Sequence, residues 1–156
     1  MTPPRISVVI PVYNGEPFLA ATIESVLAQT FRDFELVILD NVSTDRTCDV
    51  VRSFQDPRVR FCESQQHVGP GANFNRALAQ SRGEYVKLLP ADDILYPTCL
   101  QRQIDVFADP QNEGVVMVSC LRDVIDEQGR RVHRPRALPA RQTHRPTGCT
   151  QQLASL

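Results

Sequence analysis

Two runs of the chain leave little choice of fold. "ISVVIPVY" (Ile6–Tyr13) and "FELVILD" (Phe34–Asp40) are near-continuous apolar stretches rich in β-branched residues. A strand with one wet face alternates apolar and polar positions. A strand without that alternation is covered on both faces, as central strands of parallel sheets are. Parallel neighbours cannot be joined by a tight hairpin and need a crossover, usually a helix. The sequence between the two runs supplies one. Pro17 stands where a first helical turn begins, and Leu19, Ile23, Val26 and Leu27 recur at helical spacing, so a helix is expected over Pro17–Gln29.

The alternation continues. Ser43, Thr44 and Asp45 are good helix caps and open "STDRTCDVVRSF". "RVRFCE" (Arg58–Glu63) reads as a third strand. "HVGPGANFNRALAQS" reads as a loop and then a helix, ended by Gly83. "EYVKLL" (Glu84–Leu89) is a fourth strand, and "PTCLQRQIDVF" a helix with Leu100, Ile104 and Phe107 inward. "GVVMVSCLRDVID" (Gly114–Asp126) is expected as a fifth strand, with "EQGR" turning through Gly129. Strand and helix in turn predict an α/β fold: a mostly parallel sheet flanked by helices.

Such sheets bind ligands outside the carboxyl ends of their strands. Three polar clusters stand there: Tyr13-Asn14-Gly15-Glu16, Asp40-Asn41 and Asp92-Asp93, each directly after an apolar run. Adjacent carboxylates repel, which raises a pKa unless a cation intervenes. Asp92-Asp93 therefore either caps the next helix or holds a hard divalent cation, which favours carboxylate and phosphate oxygens. Asp40-Asn41 can accept hydrogens from a base or ribose, or can stabilise its own turn. Tyr13 can stack on a planar base, or can be a half-buried aromatic at a strand end.

Composition narrows the function classes. The net charge of −1 gives no bulk attraction to nucleic acid or to a membrane. The charge is divided: residues up to Glu127 carry eleven bases and eighteen acids, net −7, and those beyond carry six arginines and no acid. An acidic domain over 1–127 is thus expected, followed by a basic, Pro/Arg-rich tail over 128–156, only partly ordered. Five scattered cysteines without a C-x-x-C pair argue against a zinc site or a disulfide framework, and suit a reducing compartment. No run approaches the length of a membrane span.

Taken in order, "VVIPVYNGEPFLAATIESVLAQTFRDFELVILDNVSTDRT" and "GPGANFNRALAQSRGEYVKLLPADD" resemble the inverting nucleotide-sugar glycosyltransferases of family two, which have the GT-A fold. The resemblance covers about Ile6 to Asp126. It implies that Pro11, Val12 and Tyr13 line a nucleotide pocket, with Tyr13 stacking on the base and Glu16 beside it. It implies that Asp40 and Asn41 read the base and its neighbourhood. Asp92 would lie near the ribose, and Asp93 would ligate Mn²⁺ or Mg²⁺ bridging the diphosphate. The implied partners are a nucleotide-diphosphate sugar, UDP-linked as a first expectation, and a saccharide or lipid-linked acceptor in cell-surface polysaccharide synthesis. The implied place is the cytoplasm, or the inner face of the membrane.

The sequence also departs from the family pattern. Asn41 stands where Asp is usual, Val42 where Gly is usual, and Phe74 where many members carry Arg. No residue matches the family's catalytic base. The chain is therefore expected to be the nucleotide-binding part, truncated before the acceptor-binding half. An apolar surface left by that half would favour dimers. The alternative is a non-catalytic nucleotide-binding module or inactive remnant.

Overall fold

The computed structural model describes residues 2–126 and 128–133. The described residues divide into two compact units, one up to Gln101 and one from Arg102 onward.

The first unit is built on four strands: β1 (Ile6–Val12), β2 (Phe34–Asp40), β3 (Val59–Glu63) and β4 (Tyr85–Leu88). Their order across the sheet is β3-β2-β1-β4, and every pair is parallel. The two runs without alternation take the centre, paired from Ile6 with Phe34 to Val12 with Asp40. All seven residues of β1 are buried, and six of the seven in β2. The flanking strands β3 and β4 are partly exposed, as their mixed composition requires.

Helix α1 (Glu16–Leu27) buries Leu19, Ile23 and Val26 completely. Each such side chain contributes roughly 1.5–3 kcal/mol of burial free energy. The helix begins one residue before Pro17, and Gly15 at its N-cap lies too close to Val12 for a larger residue: an added Cβ would stand 2.6 Å from Val12 Cγ2. Helices α2 (Thr47–Arg52) and α3 (Pro70–Leu78) follow β2 and β3. Ser43, Thr44 and Asp45, expected as helix caps, form a loop ahead of α2, whose N-cap is Arg46, and their polar groups bond across to the β1–α1 turn. Ala77 of α3 packs with Val9, Val37 and Leu39 in one buried cluster.

Helix α4 (Cys99–Ala108) ends within the second unit, which also holds a 3-10 turn at Pro110–Asn112 capped by Asp109. The expected fifth strand over Gly114–Asp126 does not form across that range. Only Val124–Ile125 is extended in a ladder, as β5, antiparallel to β6 (Arg131–His133). Val116 and Met117 are exposed, so the apolar run has no sheet to enter among the described residues. The expected turn is present. Gly129 takes φ 74°, and Asp126 accepts the N–H groups of Gln128 and Arg130. The basic tail falls outside the described residues from 134 onward.

Candidate nucleotide site

A cavity of about 300 Å³ opens at the carboxyl ends of β1 and β4, within the first unit. That is the lower end of the range for small-molecule sites. The end of β1 and its turn supply Pro11, Val12, Tyr13, Asn14 and Gly15. Phe18 enters from α1, Phe74 from α3, and Pro90, Ala91 and Asp92 from the loop after β4. Four of the expected residues (Pro11, Val12, Tyr13, Asp92) therefore share one wall system. Asp92 is the one charged side chain in that lining, and it is exposed. Asp93 follows, also exposed, with its N–H on the Pro90 carbonyl at 3.3 Å.

The two turns beside the cavity are latched together. Asn14 takes φ 52°, its N–H donates to Ser43 Oγ at 2.9 Å, and its Oδ1 accepts from Thr44 N at 2.8 Å. Gly15 N–H donates to Thr47 Oγ1 at 2.8 Å. Glu16 N–H donates to Asp45 Oδ2 at 3.1 Å, and Glu16 Oε2 accepts from Arg46 N at 3.0 Å. Glu16 thus caps the facing turn and is not in the cavity lining. Although burial pushes its carboxyl up, Asp45 is held below the usual carboxylate range by the Thr47 hydroxyl, the Thr47 N–H and the Glu16 N–H.

Asp40 and Asn41 lie deeper, each 3% exposed. Asp40 Oδ2 accepts from Ser43 N at 2.9 Å, while Oδ1 has no hydrogen-bond partner among the described residues. Burial and the carboxylates of Asp40 and Glu63 push the Cys48 thiol up, which makes it a poor nucleophile. The Asn41 amide spans the Val68 backbone: Nδ2 donates to Val68 O at 2.8 Å, and Oδ1 accepts from Val68 N at 3.0 Å. Its neighbour Val42 takes φ 64°, a left-handed conformation that β-branched residues oppose.

The Asp92 loop is held from behind by α1. Thr22 Oγ1 donates to Ala91 O at 2.8 Å, and Leu95 N–H donates to Ser25 Oγ at 3.1 Å. The wholly buried Gln29 donates to Tyr96 O at 2.8 Å and accepts from Leu100 N at 3.0 Å. Sequence reasoning missed this polar stripe because Thr22, Ser25 and Gln29 read as ordinary helix surface. It also passed over His67, whose ring stands edge-on to Tyr13 at a centroid distance of 4.5 Å. Among the described residues no cluster of three or more His, Cys, Asp or Glu could hold a metal alone. The adjacent pair Asp92-Asp93 still offers hard oxygen donors, which fit a divalent cation that takes its other ligands from phosphate.

The family model described as glycosyl transferase family 2 matches residues 7–153. An uncharacterized glycosyltransferase of Nostoc sp. is 41% identical over 124 residues, 78% of this chain and 38% of that protein. One of Rickettsia typhi is 32% identical over 125 residues, 80% of this chain and 38% of that protein. Among solved structures, Staphylococcus aureus TarS in complex with UDP-GlcNAc superposes with a TM-score of 0.64 at 29% identity, covering 67% of this chain and 31% of that one. The mannosyltransferase PcManGT of Pyrobaculum calidifontis, in complex with GDP-Man and Mn²⁺, gives 0.61 at 29% identity, covering 70% and 34%. The chain thus spans well under half the length of these relatives, and its parallel sheet flanked by helices is of the GT-A type. By the match over nearly its whole length, the chain belongs to glycosyl transferase family 2.

Proposed function

We propose that this chain binds a nucleotide-diphosphate sugar together with Mn²⁺ or Mg²⁺, as part of an enzyme that transfers the sugar with inversion to a hydroxyl acceptor. The observation that carries this is the cavity at the β1 and β4 ends, with Tyr13 on one wall and Asp92, followed by Asp93, on another. Its lining contains no lysine or arginine. A diphosphate held there needs its charge balanced by a cation from solution, and Asp93 with Asp92 would hold that cation. When bound, such a cation draws charge from the departing diphosphate, which is Lewis-acid assistance.

Tyr13 would stack on the base, Pro11 and Val12 would shape the floor, and Asp92 would face the ribose. Glu16 acts at one remove, by fixing the turn that carries Tyr13. Two solved relatives, one bound to UDP-GlcNAc and one to GDP-Man with Mn²⁺, support the ligand class. The reading extends to a saccharide or lipid-linked acceptor in cell-surface polysaccharide synthesis. Free cysteines, among them Cys48 and Cys62, suit the reducing cytoplasm, at or near the inner membrane face. Among the described residues no helix is long and apolar enough to cross a membrane. Exposed Val86 and Leu88 on the edge strand β4 favour pairing with a second copy.

One observation favours a second reading, a nucleotide-binding module without turnover. Asp92 is the single carboxylate in the lining, which leaves no second acid there to deprotonate an acceptor. Turnover of UDP-GlcNAc and GDP-mannose with saccharide acceptors, followed by release of the nucleoside diphosphate, separates the two. Release above the no-protein control supports transfer by this chain. Tight metal-dependent binding without release supports the module.

A further inference from the structure

We infer that His67, rather than Asn41, reads the hydrogen-bonding edge of the base, an inference that rests on the nucleotide-binding reading above. Both polar atoms of the Asn41 side chain are engaged by Val68, and the residue is 3% exposed. To meet a base, Asn41 would have to give up a two-point clasp. The clasp has a second consequence. It fixes the loop ahead of α3 so that His67 Nδ1 lies 3.0 Å from the Asn41 carbonyl oxygen. A carbonyl can only accept, so Nδ1 carries the proton in that contact. The other nitrogen, Nε2, is then a lone-pair acceptor in the neutral ring. Nε2 has no hydrogen-bond partner among the described residues, and His67 is exposed.

The acceptor stands beside the stacking surface. The His67 and Tyr13 rings meet at 4.5 Å and 61°, an edge-to-face contact, and Tyr13 is 49% exposed. A base laid against Tyr13 would bring its edge toward an acceptor whose tautomer is fixed by the backbone of the residue next to Asp40. Such an acceptor suits a base edge with a ring N–H, as in uracil, thymine or guanine. It disfavours cytosine, whose ring nitrogen at that edge is itself an acceptor.

The test uses the full chain with Mn²⁺ and calorimetric titration of UDP, dTDP, GDP and CDP into the wild type, His67→Ala and His67→Phe. Phenylalanine keeps an aromatic edge against Tyr13 while removing the Nε2 acceptor and the Nδ1 donor to the Asn41 carbonyl, so the labelled-histidine measurement isolates the Nε2 contact. In the wild type, one ring-N–H nucleotide should bind best and CDP less well. Both variants should weaken that best nucleotide roughly fivefold, the worth of one neutral hydrogen bond, and leave CDP unchanged. On adding the nucleotide to ¹⁵N-histidine-labelled wild type, the His67 Nε2 resonance should move, and Nδ1 should remain the protonated nitrogen. A wild type that prefers CDP, or a His67→Phe variant with unaltered affinities and ranking, overturns the inference while the donor site stands. A wild type that binds none of the four removes the donor-site reading, and this inference with it.

Discussion

Val42 holds a backbone conformation that its own side chain opposes. A left-handed φ of 64° on a β-branched residue costs roughly 1–2 kcal/mol. Val42→Gly should therefore stabilise the fold by about 0.5–1 kcal/mol after the extra chain entropy of glycine is subtracted, read as a higher urea midpoint at unchanged slope. A lower midpoint would show that Val42 packing outweighs the strain. Asn41→Asp installs the carboxylate that the sequence resemblance leads us to expect here but loses the donor to Val68 O. A loss of about 1–3 kcal/mol in stability is expected, with no gain in uridine nucleotide affinity. A gain would return base reading to position 41. Asp45 sets a pH dependence. Its folded pKa lies below its unfolded one, so its contribution is complete above about pH 4 and is lost as pH falls through the lower folded value. Asp45→Asn should be less stable than wild type at pH 7, with a smaller further loss on acidification. Parallel stability curves for the two proteins would refute this role.

Helix α1 works on two faces, and only one of them was legible in the sequence. Its apolar spacing named Leu19, Ile23 and Val26, because burial leaves a period of 3.6 in the residue types. The stripe of Thr22 and Ser25 on the helix, continued by Gln29 just past its end, left no such trace, since its partners are backbone atoms of residues 91–100, far along the chain. Gln29→Leu should cost roughly 3 kcal/mol, because Tyr96 O and Leu100 N lose their buried partner. It should also weaken metal-dependent nucleotide binding by loosening the Asp92 loop. Unchanged affinity at reduced stability would confine Gln29 to folding. The central strands were legible for the same reason as the apolar face of α1. The expected strand over Gly114–Asp126 was misread because hydrophobic content alone does not supply a neighbouring ladder. At the opposite strand ends, Gly83 packs against backbone: an added Cβ would lie 2.5 Å from Ser7 N. Gly83→Ala should cost about 1–3 kcal/mol by overpacking.

At the scale of the whole molecule, the fold positions a cavity whose chemistry is one-sided. The order β3-β2-β1-β4 puts the β1 turn and the β4 loop side by side, which brings Tyr13 and Asp92, 79 positions apart, to one rim. The convergence of polar clusters at strand ends was readable from the alternation alone. The division of labour within the clusters was not: Glu16 and Asn41 bond protein atoms, whereas Tyr13 and Asp92 face the cavity. The lining holds Phe18 and Phe74 and no lysine or arginine, so under the proposed function a bound diphosphate would depend on a metal at Asp93. The most direct measurement is calorimetric titration of UDP, GDP and dTDP with and without Mn²⁺, on the wild type and on Asp93→Ala. Binding of one nucleotide that requires Mn²⁺ and is lost in Asp93→Ala is the predicted result. Binding indifferent to the metal, or retained in full by Asp93→Ala, would contradict it.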